Sequence, residues 1–247
     1  MNPFKKSGKS VSIFITAGYP EKESLIEQIL FLQEQGIDFV EIGIPFSDPM
    51  ADGPVIQETS ALALKKGMNL DLLFEQLSEA KEQINIPLVI MSYLNPILQF
   101  GADLFLKKCE SAGISGLIIP DLSFELVQKK YRHSFGSGKI PLIYLITPST
   151  SDARITQIVQ ASSHSFVYLV GQNKITGSSY SLSKHANRYS ELKLLCDTVP
   201  LFLGFGISTA EQKNEAFRYV DGIIVGTAYL RAISQKNEEE FVEKLLS

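Results

Sequence analysis

The strongest constraint on the fold is an alternation between short apolar segments and stretches of helical spacing, repeated along almost the whole chain. The apolar segments are rich in Val, Ile, Leu and Phe, which is typical of strands buried on both faces of a parallel sheet. Two parallel strands need a crossover between them, usually a helix. Eight strands are predicted, at residues 11–16, 39–44, 86–92, 116–120, 140–147, 165–170, 200–203 and 222–225.

Helical segments separate these strands. Asp71 is a predicted N-cap for one of them. The third strand closes in Tyr93-Leu94-Asn95-Pro96, and residues 133–139 read as a glycine- and serine-rich loop. Helices are predicted at residues 21–35, 56–66, 70–84, 102–112, 152–161, 189–196, 209–218 and 238–246, with a short one from about residue 124.

No composition shift or linker divides the 247 residues, a length close to the ~250 residues of a typical (β/α)8 barrel. The sequence therefore predicts an α/β fold, a single-domain (β/α)8 TIM barrel spanning residues 1–247. A doubly wound open sheet is the alternative. It is disfavoured because the first strand lacks a following G-x-G-x-x-G, and Gly204-Phe205-Gly206 has no third glycine.

Composition and charge exclude several classes of protein. The net charge of −4 gives no basic footprint for nucleic acid. No apolar run approaches the ~20 residues of a membrane span. Cys109 and Cys196 lie far apart in the sequence, which fits buried thiols in a reducing cytoplasm. The three histidines show no metal-ligand spacing, so no metal site is predicted.

The second predicted strand carries an acid in its middle. Glu41 shares one side with Phe39 and Gly43, because side chains alternate along a strand. A carboxylate on the inner side of an apolar strand is costly to desolvate unless it has a partner or a task. Asp48 and Asp52 follow on a turn-rich loop, where they are either turn formers or site residues. In a barrel, the end of a strand and its following loop carry the catalytic groups.

The loops after the last two predicted strands are rich in glycine, around Gly204-Phe205-Gly206 and Gly226-Thr227-Ala228. Glycine allows close backbone approach, and the free N–H groups at a helix start favour an anion. This corner of a barrel commonly binds phosphate. The alternative is that the glycines only form tight turns, but two glycine-rich loops together favour the phosphate site. The pattern favours carboxylate acid–base chemistry on a small phosphorylated substrate.

The stretch from Glu41 to Gln57, E-I-G-I-P-F-S-D-P-M-A-D-G-P-V-I-Q, resembles the signature of the tryptophan synthase alpha chain family. The likeness extends in the same order over nearly the whole chain. It covers Phe14 to Gly18, Asn95-Pro96, Gly116 to Asp121, Thr176-Gly177, Gly204 to Ser208 and Gly226 to Ala228. The resemblance implies a lyase of tryptophan biosynthesis that cleaves indole-3-glycerol phosphate to indole and glyceraldehyde 3-phosphate without a cofactor.

The resemblance also implies roles for individual residues. Glu41 matches the family's general acid–base residue, and Asp52 the carboxylate that holds the indole N–H. Thr176 matches a lid-loop threonine that orients Asp52. The phosphate cradle matches Gly177, Gly206, Gly226 and Thr227. The walls around the substrate match Phe14, Tyr168 and Ile224, which from their pattern alone are core residues.

The family pairs with a PLP-dependent beta chain in an α2β2 complex in the cytoplasm, and Asp48, Pro49 and Asn95 match positions of that contact. Three departures concern the lid and the contacts: Lys174 stands where glycine is usual, Gln172 where arginine is frequent, and Ser123 where proline is frequent. The altered lid motivates a second hypothesis, a lyase-impaired subunit that mainly binds and activates the beta chain.

Overall fold

The structure is a computed structural model that describes residues 2–5, 7–136, 140–171, 186–204 and 206–247. Strands in this part of the chain pair in parallel, in sequence order, and the last pairs with the first to close a barrel. They are β1 (Ser10–Thr16), β2 (Phe39–Gly43), β3 (Leu88–Met91), β4 (Ile114–Ile118), β5 (Leu142–Ile146), β6 (Val167–Val170), β7 (Leu201–Gly204) and β8 (Gly222–Val225).

Helices connect successive strands. They are α1 (Leu25–Glu34), α2 (Pro54–Lys65), α3 (Leu70–Glu79), α4 (Leu94–Phe100), α5 (Ala102–Ser111), α6 (Phe124–Leu126), α7 (Arg132–Phe135), α8 (Asp152–Ala161), α9 (Ala186–Leu195), α10 (Ala210–Ala216), α11 (Thr227–Gln235) and α12 (Glu238–Leu246). Within the described ranges, none of them combines the length and the apolar character that crossing a bilayer requires.

The predicted barrel is confirmed and the open-sheet alternative is wrong, because β1 pairs with both β2 and β8. The predicted bounds of α8, β8 and α12 coincide with the observed ones. Other boundaries shift by a few residues, which is usual for element ends.

Two local predictions are wrong, and two helices were not predicted. Helix α4 was not predicted; it includes Pro96 because this residue falls in the first turn, where proline is tolerated. Helix α11 follows β8 directly and was not predicted, and α7 occupies part of the predicted loop 133–139. The N-cap of α3 is Asn69, whose Oδ1 accepts from Leu72 N at 3.0 Å, and Asp71 lies in the first turn.

Helix α1 begins at Leu25, later than the predicted residue 21. The Ser24 hydroxyl donates to the carbonyl oxygen of Glu21 at 2.7 Å. The backbone N–H of Ser24 donates to the same carbonyl at 3.1 Å. These bonds form a turn before the helix, because serine side chains compete with helical hydrogen bonding.

Aromatic rings fill the amino-terminal end of the barrel. Phe39 of β2 and Phe202 of β7 have ring centroids 5.2 Å apart, and Phe166 lies 4.6 Å from Phe202. Phe4 packs from outside the strands, 5.2 Å from Phe39 and 5.1 Å from Phe166. This end of the barrel is therefore a packed core, and any site must lie at the other end.

Glycines on neighbouring strands make room for the inward-facing rings. A Cβ at Gly43 would lie 2.3 Å from Phe14 Cζ, and one at Gly204 would lie 2.0 Å from Tyr168 Oη. The Phe14 ring of β1 therefore packs over Gly43 of β2, and the Tyr168 ring of β6 packs over Gly204 of β7. This packing holds Phe14 and Tyr168 at the carboxyl-terminal half of the barrel interior.

Candidate active site

A cavity of about 430 Å³ opens at the carboxyl-terminal end of the barrel. Because all the strands are parallel, their carboxyl ends and the loops that follow them meet at this face. The part of its lining that the structure describes combines two acids, one arginine and a mostly apolar wall. The lining residues are Phe14, Glu41, Ala51, Asp52, Ile56, Met91, Ile118, Pro120, Leu145, Tyr168, Val170, Gly206, Ile207, Ser208, Ile224, Gly226, Thr227, Ala228 and Arg231.

Glu41 forms part of the cavity floor. It lies on β2 in register with Phe14 of β1 and Val89 of β3, and only 1% of the residue is exposed. Its Oε2 has no hydrogen-bond partner among the described residues. Burial, with a smaller contribution from the negative charge of Asp52, raises the pKa of Glu41 to about 8. A carboxyl group with such a pKa can both accept and donate a proton near neutral pH.

Asp52 faces the cavity from the loop between β2 and α2. Its Oδ2 accepts a hydrogen bond of 3.1 Å from the hydroxyl of Tyr93, which follows β3. Burial raises the pKa of Asp52, while the Tyr93 hydrogen bond acts in the opposite direction. Asp52 is less buried than Glu41, so the two carboxyl groups have different environments within one cavity.

The apolar wall contains the three residues that the sequence pattern alone indicates as core. Phe14 and Ile224 come from neighbouring strands β1 and β8, and Tyr168 comes from β6. Tyr168 is buried, and burial together with the two cavity acids raises its pKa well above its ordinary value. The Tyr168 hydroxyl therefore stays neutral at physiological pH.

The glycine-rich corner lies in the same cavity. Gly206 has φ +84°, a left-handed conformation that favours glycine. Gly226 is the N-cap of α11 and Thr227 is its first residue, so free backbone N–H groups start at the cavity wall. Arg231 is one turn further along the same helix face, and it is the cationic side chain of the described lining.

The remaining predicted site residues lie elsewhere. Asp48 is exposed and Pro49 half-buried on the loop after β2, and Asn95 is exposed on α4, after β3. The loop after β2 and the start of α4 are joined by the hydrogen bond from Ala51 N to the Tyr93 hydroxyl, and none of the three residues lines the cavity. Thr176 and Gly177 lie outside the described residues, as do Gln172 and Lys174.

Two residues of this region were not predicted. Tyr93 bonds to Asp52 although 41 positions separate them, and Arg231 belongs to the helix that was itself not predicted. The sequence did indicate Tyr93, because it directly follows the predicted strand 86–92 and site residues of barrels lie at strand ends. Arg231 offered a signal only through its spacing of four residues from Thr227, once a helix is assumed there.

Comparisons with known proteins agree on one family. The family model for the tryptophan synthase alpha chain matches residues 2–246. The tryptophan synthase alpha chain of Christiangramia forsetii is 43% identical over 244 residues, covering 96% of this chain and 94% of the relative. The protein of the same name from Flavobacterium psychrophilum is 42% identical, covering 97% and 94%.

Solved structures give the same result. A crystal structure of tryptophan synthase from M. tuberculosis in its aminoacrylate-bound form matches with a TM-score of 0.83 at 27% identity, over 96% of this chain and 92% of that one. A tryptophan synthase alpha chain from Legionella pneumophila matches with a TM-score of 0.83 at 30% identity, over 99% and 95%. The chain belongs to the tryptophan synthase alpha chain family.

Proposed function

We propose that this chain cleaves indole-3-glycerol phosphate by a retro-aldol reaction in which Glu41 moves the protons and Asp52 holds the indole N–H. As an alpha chain it is the lyase subunit in tryptophan biosynthesis. The observation that carries the assignment of residues is the buried, unpartnered Oε2 of Glu41 in a cavity that also contains Asp52.

The reaction needs one proton removed and one delivered. The proton of the side-chain hydroxyl next to the indole leaves, and the C–O bond becomes the carbonyl of glyceraldehyde 3-phosphate. The electrons of the broken carbon–carbon bond return to the indole, whose ring carbon takes a proton. Atoms balance without oxidant, reductant or water, and a carboxyl group with a pKa of about 8 suits both proton transfers.

Asp52 has a separate task in this scheme. Protonation of the indole ring carbon places positive charge on the ring nitrogen. A carboxylate opposite the N–H stabilises that charge, and it does so more in the transition state than in the ground state. The lower burial of Asp52 and its bond from Tyr93 favour the ionised form that this task requires.

We assign the phosphate group to the corner formed by Gly206, Gly226 and Thr227, together with Gly177 of the lid loop. The left-handed Gly206 and the free N–H groups of α11 supply backbone donors, and Phe14, Tyr168 and Ile224 supply apolar walls for the indole ring. Thr176 of the lid is assigned to orient Asp52. These assignments rest on the family pattern.

We infer that Asp48, Pro49 and Asn95 contact the PLP-dependent beta chain in an α2β2 complex. Asp48 and Pro49 lie on the loop after β2 and Asn95 lies on α4, two segments joined by the bond from Ala51 N to the Tyr93 hydroxyl. Each segment also exposes an apolar side chain: Met50 is 76% exposed and Leu98 is 42% exposed. Exposed apolar residues beside polar ones suit a protein interface. We further assign the chain to the cytoplasm and its residues 1–247 to a single domain.

The proposal is tested by Glu41→Gln, which keeps the side-chain shape and removes the proton-transfer group. We expect indole release from indole-3-glycerol phosphate to fall at least about a thousandfold, with and without a beta subunit. Circular dichroism checks that the variant remains folded. The control is Glu34→Gln, an exposed change at the end of α1 that should leave turnover unaffected.

Retained turnover in the Glu41→Gln variant would contradict the assignment of the acid–base residue. The alternative of a lyase-impaired activator has its own signature. In that case the unaltered protein would release no indole under either condition while still stimulating the beta reaction.

A further inference from the structure

We propose that Tyr93, which follows β3, is the positioning residue for Asp52. Its hydroxyl keeps the Asp52 carboxylate ionised and oriented toward the indole N–H. The proposal rests on the function proposed above, and it adds a residue that the family pattern did not supply.

Two hydrogen bonds converge on the Tyr93 hydroxyl. The oxygen accepts from the backbone N–H of Ala51 at 2.8 Å, and its proton goes to Asp52 Oδ2 at 3.1 Å. An ionised Asp52 accepts the hydroxyl proton of Tyr93 and so completes this chain of two hydrogen bonds, whereas a protonated Asp52 would weaken it. Tyr93 thus fixes both the main chain and the side chain of the segment that carries the acid.

The tyrosine itself is held rigidly. Only 4% of Tyr93 is exposed, and its ring lies 5.4 Å from that of Phe46, near the start of the loop after β2. It stands at the N-cap of α4, whose first backbone N–H, on Leu94, donates to Asp121 Oδ1 at 2.9 Å. Burial raises the pKa of Tyr93 to about 12, so its hydroxyl keeps the proton that it donates.

Asp52 needs such support because of where it lies. It is on a loop, where a side chain without tethers samples several orientations. A second hydrogen bond of this residue within the described part of the chain, 2.8 Å from Gln57 Nε2 to its main-chain oxygen, does not orient the carboxylate. Among the described residues, Tyr93 is the side chain that bonds to the Asp52 carboxylate.

The test is Tyr93→Phe, which removes one oxygen and keeps the ring. Losing a hydrogen bond to a charged group corresponds to a fall in kcat of about tenfold to a hundredfold, with a smaller change in KM, because the charge on the indole develops in the transition state. The matched control is Tyr229→Phe, since the Tyr229 hydroxyl is also buried but has no described partner. That control should retain wild-type kcat.

The pH profile separates positioning from a general structural role. Among the described residues, the titratable or charged groups that share the cavity with Asp52 or bond to it are Glu41, Tyr93, Tyr168 and Arg231. The Tyr93 bond lowers the pKa of Asp52, so its loss should move the acidic limb of kcat/KM to higher pH. A variant that merely loses stability would lower activity without moving that limb.

A double variant decides whether Tyr93 acts through Asp52. If it does, adding Tyr93→Phe to Asp52→Asn should reduce kcat less than about threefold further. Unchanged kcat and an unmoved acidic limb in Tyr93→Phe, or full additivity in the double variant, would overturn the proposal. Absence of cleavage by the unaltered protein would instead refute the proposed function.

Discussion

At the scale of single residues, Glu41 shows how a functional group is kept at a cost in stability. The folded state places its carboxyl group in the barrel interior, where burial raises its pKa from 4.5 to about 8. Between those values the folded protein keeps a proton that the unfolded chain has lost. The free energy of unfolding therefore decreases as the pH rises through this window.

Glu41→Gln should remove that dependence, because the amide is neutral at every pH. We expect the stability of the variant, relative to the unaltered protein, to increase from about pH 5 to about pH 8.5, by a few kcal/mol in total. Urea denaturation at several pH values measures this difference. Glu34→Gln, an exposed change, should show none. Parallel curves for the Glu41 variant and the unaltered protein would contradict the burial argument.

At the scale of elements, neighbouring strands fit together by placing a ring over a glycine. Tyr168 of β6 lies over Gly204 of β7, where an added Cβ would be 2.0 Å from the Tyr168 hydroxyl oxygen. Phe14 of β1 lies in the same way over Gly43 of β2. The cavity wall is therefore shaped by pairs of strands and not by either strand alone.

Gly204→Ala should force the Tyr168 ring out of position. We expect a loss of about 1–3 kcal/mol in the free energy of unfolding, as for other overpacked cores, together with a raised KM. Denaturation curves and steady-state kinetics measure the two effects. Gly8→Ala is the control, because nothing lies within 4 Å of its Cβ position. If the Gly204 variant matched this control in both measurements, the role of the ring–glycine pair would be wrong.

At the scale of the whole molecule, the barrel separates a packed end from an open one. Phe4 closes the amino-terminal end by packing on Phe39 and Phe166, and only 3% of it is exposed. The active-site cavity is at the opposite end. Stability and substrate binding should therefore respond to different substitutions, as is general for this fold.

Phe4→Ala tests this separation. Removing a buried phenylalanine ring costs about 3–5 kcal/mol, so we expect the thermal midpoint to fall by roughly 6–20 °C. KM at a temperature where the variant is folded should stay within about twofold, because the cavity lining is untouched. Leu194→Ala, at a position 75% exposed, should change neither quantity. A large change of KM in the Phe4 variant would show that the two ends are coupled.

The order of strands, the closure into a barrel, and the positions of Glu41 and the glycine-rich corner were predictable from local patterns. Strand alternation assigns Glu41 to the inner face with Phe39, and glycine spacing marks the ends of β7 and β8. Three features were decided only by the tertiary structure. They are the hydrogen bond from Tyr93 to Asp52, the packing of Phe4 on Phe39 and the position of Arg231 in the cavity lining. A local pattern specifies the face on which a side chain lies. Which loops and termini meet depends on the parallel register of all the strands, since residues 41 positions apart become neighbours only when the barrel is closed.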